Sequence, residues 1–365
     1  MNARKLSGKA QLIAAILNAC FLACFSIPIA SAATFDVPPG NVPALIAAIN
    51  AANADGVSDT INLKGGVYKL TKVDNDNDPT GGDPNGLPRI TTSITINGNG
   101  STIAASGTLR ILEVALDGTL FLTHVVIQNG NTDAGGAGVH NDGRLVIANS
   151  TFRGNRGGEG GAILNDGTAV IWQSAFVANA AGSDDSGGAV RNDGSMSIVN
   201  STFTRNTAVD NGGAIRSDGP ITISSSTFVR NTASFGGGAI QGSNSGRIST
   251  IKNVIFSGNG PQNCVGVTVM QGDNLDTDGT CGGTVVTADY LRLGSLARNG
   301  GDTPTHALRP HSVAIDAVAD CTTTDGLPVT IDQRGVERPR RATCDVGAYE
   351  AETFGSAADL GVVER

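Results

Sequence analysis

Residues 212–233 read GGAIRSDGPITISSSTFVRNTA, and no single secondary structure suits both halves. Two glycines open the stretch, the turn pair Asp218-Gly219 interrupts it, and β-branched residues fill much of the rest. The pattern returns at 160–181 as GGAILNDGTAVIWQSAFVANAA, at 187–208 as GGAVRNDGSMSIVNSTFTRNTA, and more loosely from Gly136 and Gly237. Five copies in all make this a repeat protein.

The apolar residue after the glycines is Val139, Ile163, Val190, Ile215 or Ile240, and each copy carries a phenylalanine at 152, 176, 203, 228 or 256. In the first four copies the two lie 13 residues apart, in the fifth 16. From each phenylalanine to the next copy the gap varies between 11 and 14 residues, so part of the unit is rigid and part is a loop. Ile147, Ile171, Ile198, Ile223 and Ile251 precede the phenylalanines, and two residues earlier stand Leu145, Ala169, Met196, Ile221 and Ser249. That period belongs to a strand. Asn155, Asn179, Asn206, Asn231 and Asn259 follow the phenylalanines, where the chain must bend and asparagine tolerates left-handed backbone angles. NDG at 141, 165 and 192, with SDG at 217, marks a second corner.

Each unit thus holds about three short strands and three bends in roughly 25 residues, a solenoid length. A meander needs no identical residue at the same place in every copy. A coil stacked on its neighbour does, because equivalent positions then lie about 4.8 Å apart. The expected fold is all-β, a right-handed parallel β-helix of three-strand coils. A short N-terminal helical cap and a disulfide-stapled C-terminal region complete it. ALIAAINAAN at 44–53 places Leu45, Ala48, Ile49 and Ala52 on one helical face, suited to covering the open edge of the first coil. Short strands between it and the repeats bring the expected count to about eight coils, roughly 40 Å of solenoid.

The chain has 365 residues, 50 of them glycine, with 4% aromatic and 16% charged residues. Residues 1–32 read as an export signal, with Arg4, Lys5 and Lys9 ahead of an apolar stretch and Ala-Ser-Ala at 30–32 as cleavage site. Removing those three cations from 25 basic and 33 acidic residues leaves 22 against 33, a net charge of −11. Such a surface repels nucleic acid. No later stretch reaches the apolar length of a membrane span, so the mature chain is expected to cross no membrane. Cys20 and Cys24 lie in the signal without a good lipidation sequence. The four remaining cysteines, Cys264, Cys281, Cys321 and Cys344, read as two disulfides of an oxidising compartment. Of three pairings, 264–281 with 321–344 is the simplest. Their spacing does not support zinc.

The GGAI and FxxN repeats resemble those of polymorphic outer-membrane proteins and, more widely, the secreted parallel β-helices of the pectate-lyase superfamily. LGSLARNGGDTPTHALRPHSVAID at 293–316, DQRGVERP at 332–339 and CDVGAYE at 344–350 resemble a choice-of-anchor Q region, and LIAAINAAN with DTINL resembles the opening of CSLREA-type proteins. The resemblance implies an exported protein of the cell surface or extracellular space, in families mostly without assigned activity. The expected organisation is signal (1–32), cap and first coils (33–110), repeats (111–262), C-terminal cap or choice-of-anchor-like region (263–350) and flexible tail (351–365). The tail carries no apolar segment and no sortase-type motif.

Several candidate sites follow from the residue types. NTD at 131–133 and Asp184 with Asp185 echo the paired acids of polygalacturonase-like hydrolases, without the histidine and Arg-Lys motifs of that family. Arg191 and Arg216, one coil apart beside Asp193 and Asp218, echo the arginine base and aspartates of a calcium-dependent lyase. Asp142, Asp166, Asp193 and Asp218 should form a column of like charges, repelling unless cations bridge them. Calcium, the one cofactor with candidates, has Asp74, Asp76 and Asp78 in one loop and Asp276 and Asp278 in another, both lacking the closing glutamate. His124 and His140 have no matching nucleophile, His306 and His311 belong to the C-terminal motif, and Trp172, the single tryptophan, suggests no aromatic platform. The expected role is a monomeric adhesin or structural rod that presents loops to a polysaccharide or surface protein. The alternative is a polysaccharide lyase or glycoside hydrolase.

Overall fold

Phe152, Phe176, Phe203, Phe228 and Phe256 stand one above another, matched in register across successive parallel strands. Their ring centroids are 5.0, 4.6, 4.8 and 5.3 Å apart, and all five rings are fully buried. The computed structural model describes residues 31–74, 84–182, 187–243, 249–267 and 269–352, of which those from Ala33 onward form one unit. The export signal therefore lies outside the described residues but for its last two.

The chain winds as a parallel β-solenoid of about nine turns, against the eight or so expected from the repeats and the short strands before them. Its three long sheets have ten strands each. The first runs from Thr34–Val37 to Val269–Gln271, and its inward column Leu122, Ile147, Ile171, Ile198, Ile223, Ile251 lies in register. The second carries the phenylalanines. The third is broken in most coils by the Gly-Gly turn and becomes continuous at Thr232–Gly242. The second glycine of that turn is required by close approach. A Cβ on Gly188 or Gly213 would collide with the carbonyl of the glycine one coil on.

The asparagines after the phenylalanines do not occupy left-handed backbone, contrary to expectation. The residue before each one does, as at Ala178, Arg205 and Arg230, with φ of 53°, 56° and 55°. What fixes asparagine is a buried side-chain ladder. From Asn155 through Asn179, Asn206, Asn231 and Asn259 to Asn263, each Nδ2 donates to the next Oδ1 at 2.7–3.0 Å. Each Oδ1 also accepts a backbone N–H, and each Nδ2 from Asn155 to Asn259 also reaches a backbone carbonyl, as from Asn206 to Phe176. A second ladder joins Asn141, Asn165, Asn192 and Ser217 at 2.7, 2.7 and 2.9 Å, so serine in the SDG corner replaces asparagine as acceptor.

The expected helix is present at Val42–Asp55, capped by Asn41 and ended by left-handed Gly56, and it buries Leu45, Ala48, Ile49 and Ala52 as read. Both simple disulfides form, Cys264–Cys281 and Cys321–Cys344. The chain from Ala288 runs back along the outer face of the second sheet. Thr202 donates to Gln333 at 2.6 Å, Ala348 N–H donates to Thr227 at 3.0 Å, and Lys252 binds Asp320 at 2.7 Å. Its own small core joins Leu291, Leu308, Ala314, Val318, Cys344 and Val346 to Ile255 of the solenoid. DQRGVERP and CDVGAYE meet in a buried ionic knot. Arg334 pairs with Asp332 at 2.8 Å and lies 3.6 Å over the Tyr349 ring, while Arg338 faces Glu350 at 3.5 Å. Among the described residues no helix is long and apolar enough to cross a membrane.

Candidate functional site

The predicted acidic column lies at the corner that follows the third sheet, and it is bridged by basic residues rather than left to repel. Arg89 reaches Glu113 at 2.7 Å and Asp142 at 3.3 Å. His140 stands between Asp142 at 3.3 Å and Asp166 at 2.9 Å. Arg191 spans Asp193 at 2.9 Å and Asp218 at 2.6 Å, and Arg216 closes on Asp218 at 2.8 Å. The register makes this possible, since Glu113, His140, Leu164, Arg191 and Arg216 fall at one position of successive strands. Although burial opposes it, the hydrogen bond and charge of Asp193, then Asp218, hold the Arg191 guanidinium more firmly protonated than usual. An arginine so held is a poor general base.

Glu113, His140 and Asp142 each bring one ligand atom within 4.8 Å of the others. A cation already occupies that place, because Arg89 contacts both carboxylates while Asn85 and Arg110 hold the second Glu113 oxygen at 2.5 and 3.4 Å. A metal ion would have to displace Arg89. Asp276 and Asp278 brace the loop under Cys264–Cys281. The Asp276 oxygens accept from Asn263 and from Cys281 N–H at 2.5 and 2.7 Å, those of Asp278 from Thr280 and from Asn263 N–H at 2.6 and 2.7 Å. All four calcium-type oxygens of this loop are thus committed to the protein's own donors. Asp184, Asp185, Asp76 and Asp78 lie outside the described residues; Asp133 lines a small cavity with Arg156 and Gly182.

A further concavity lies elsewhere, where the first sheet's outer face meets the returning C-terminal segment. It has a volume of about 350 Å³. One wall is Val170, Trp172 and Val199; the other is Leu327 to Ile331, with Thr323 and Asp325 at hand. Trp172 is 43% and Leu327 61% exposed. Asn200 marks the seam. Its Nδ2 donates to the Ile331 carbonyl at 2.7 Å, while its Oδ1 is buried without a hydrogen-bond partner. An orphaned buried acceptor costs about 1–3 kcal/mol.

Compared with protein families, curated proteins and solved structures, the chain matches none.

Trp172 was passed over in the sequence because it is single. One indole suffices here, since the opposite wall comes from residues about 150 positions later, and no local signal joins them. Glu113 was also missed; its neighbours Leu112 and Val114 read as an ordinary strand.

Proposed function

We propose that the protein is an exported cell-surface or extracellular β-helix of the pectate-lyase-like kind, a binding rod whose Trp172 groove holds a carbohydrate chain. The groove carries this reading. A pyranose ring offers an apolar C–H face to an indole and hydroxyls to acceptors at its rim. Trp172 supplies the face, exposed Asp325 supplies an acceptor, and Leu327 closes the apolar side. The two disulfides agree with an oxidising compartment, and the choice-of-anchor-like segment is the strap that builds the second wall.

The alternative, a lyase or hydrolase, draws on Glu113, His140 and Asp142. A panel of neutral and acidic polysaccharides with the mature chain tests both. Binding weakened at least roughly tenfold by Trp172→Ala, with no new reducing or unsaturated ends in calcium or chelator, is the expected result. Unchanged binding by that variant would overturn the groove reading. New chain ends lost in Glu113→Gln would establish the enzyme instead.

A further inference from the structure

Two stacked arginine pairs project from this solenoid, and they are treated in opposite ways. Arg191 and Arg216 are matched by Asp193 and Asp218. Arg205 and Arg230, also one coil apart, have no ion pair or side-chain hydrogen bond among the described residues. Both are exposed, and both line one cavity of about 160 Å³ beneath the hairpin Leu293–Ala297 and Thr305–Leu308. Its other walls include Thr204, Ser257, Ser295 and His306, and no carboxylate contributes. In a chain of formal charge −8, two unneutralised guanidiniums gathered in one concavity are a local reversal of sign.

Their placement is also fixed. The Arg205 N–H donates to Val229 and the Arg230 N–H to Ser257, each at 3.1 Å, so coil spacing sets the distance between the two stems. Each sits in left-handed backbone, where the same coil position elsewhere holds Gly154 and Gly258. Burial first, and then the positive charge of Arg205 and Arg230, keeps the His306 imidazole below its ordinary pKa. Its Nδ1 donates to the Gly294 carbonyl at 2.8 Å, leaving Nε2 to accept from Thr204 at 3.2 Å. The imidazole is therefore a wall and not a third cation.

We infer that this cavity is an oxyanion site, in which Arg205 and Arg230 together bind one tetrahedral sulfate- or phosphate-type group. A planar carboxylate is satisfied by one guanidinium fork. Two forks on adjacent levels suit an anion with oxygens pointing in several directions, and Ser257 and Ser295 offer hydroxyl donors alongside.

The test is calorimetric titration of the mature chain at constant ionic strength with sodium sulfate, sodium phosphate, glucose 6-sulfate and glucose. Saturable binding of at least one of the three anions, with glucose silent, is expected. Arg205→Gly and Arg230→Gly keep the left-handed turn while removing a cation, so folding is preserved. Each should weaken binding roughly tenfold and the pair should abolish it, while Arg205→Lys retains part. Preference for glucose 6-sulfate over free sulfate assigns an esterified ligand; equal or weaker binding assigns the free anion. Absence of saturable binding below about 10 mM, or binding unchanged in the double glycine variant, overturns the site. Because the Trp172 groove is untouched by these variants, carbohydrate binding there succeeds or fails independently.

Discussion

Asn206 shows what one residue does in a stacked coil. Its Oδ1 accepts from both the backbone and the side chain of Asn179, and its Nδ2 donates to Asn231 and to the Phe176 carbonyl. Asn206→Ala leaves buried donors unpaired at about 1–3 kcal/mol each. Equilibrium denaturation should show a loss of about 3 kcal/mol or more, and Asn206→Asp should fare no better, because a carboxylate cannot donate to the Asn231 Oδ1. The recurrence of these asparagines was legible; its cause was not. A repeated asparagine suits either a left-handed bend or a ladder, and only the register, which places φ of 56° on Arg205 instead, separates them. The isoleucine and phenylalanine columns were readable in full, since period and size alone determine which side chain meets its equivalent in the next coil.

At the scale of elements, the returning C-terminal segment is where sequence reading fell short. Thr202, Thr204 and Thr227 alternate with inward residues like a solvated strand face, yet they are buried, because a segment about a hundred residues later covers them. Nothing local announces a cover that arrives from so far along the chain. Within that segment Asp345 takes hydrogen bonds from the backbone of Asp316 and Ala351. Burial nonetheless pushes its pKa from 3.8 to about 6. Between those values the folded protein keeps a proton that the unfolded chain has released, so this group's contribution to stability falls as pH rises through the window. Asp345→Asn should remove that decline. With denaturation midpoints of both proteins measured from pH 4 to pH 7, the wild-type midpoint minus that of the variant should fall steadily as pH rises, whatever its starting value. A constant separation would refute the assignment.

The whole molecule is a one-dimensional stack, in which each turn contacts its neighbours and cooperativity passes along the axis. The strap breaks that symmetry. It binds coils from His124 to Asn253 on one side and leaves the first coils to the N-terminal helix. Native-state hydrogen exchange should therefore find the slowest amides in the strands bearing Phe176, Phe203 and Phe228. Protection should fall toward Thr34–Val37, and the slow set should shrink when Cys321 and Cys344 are both replaced by serine, a change worth about 3 kcal/mol for a loop of this length. Uniform exchange from end to end would mean that the strap adds nothing.

The asparagine ladders have one more property. Backbone N–H groups can only donate, so their bonds to Oδ1 fix the orientation of every amide in the longer row, and all point toward the C-terminal coils. The shorter row is aligned the same way. Parallel amides add as dipoles, which gives the interior an electrical head and tail, as in an α-helix. The final donor, Asn263, meets the Asp276 carboxylate, an anion seated at the positive terminus. A buried aspartate that resembles half of a cation site is in this light the counterweight to a polarised rod.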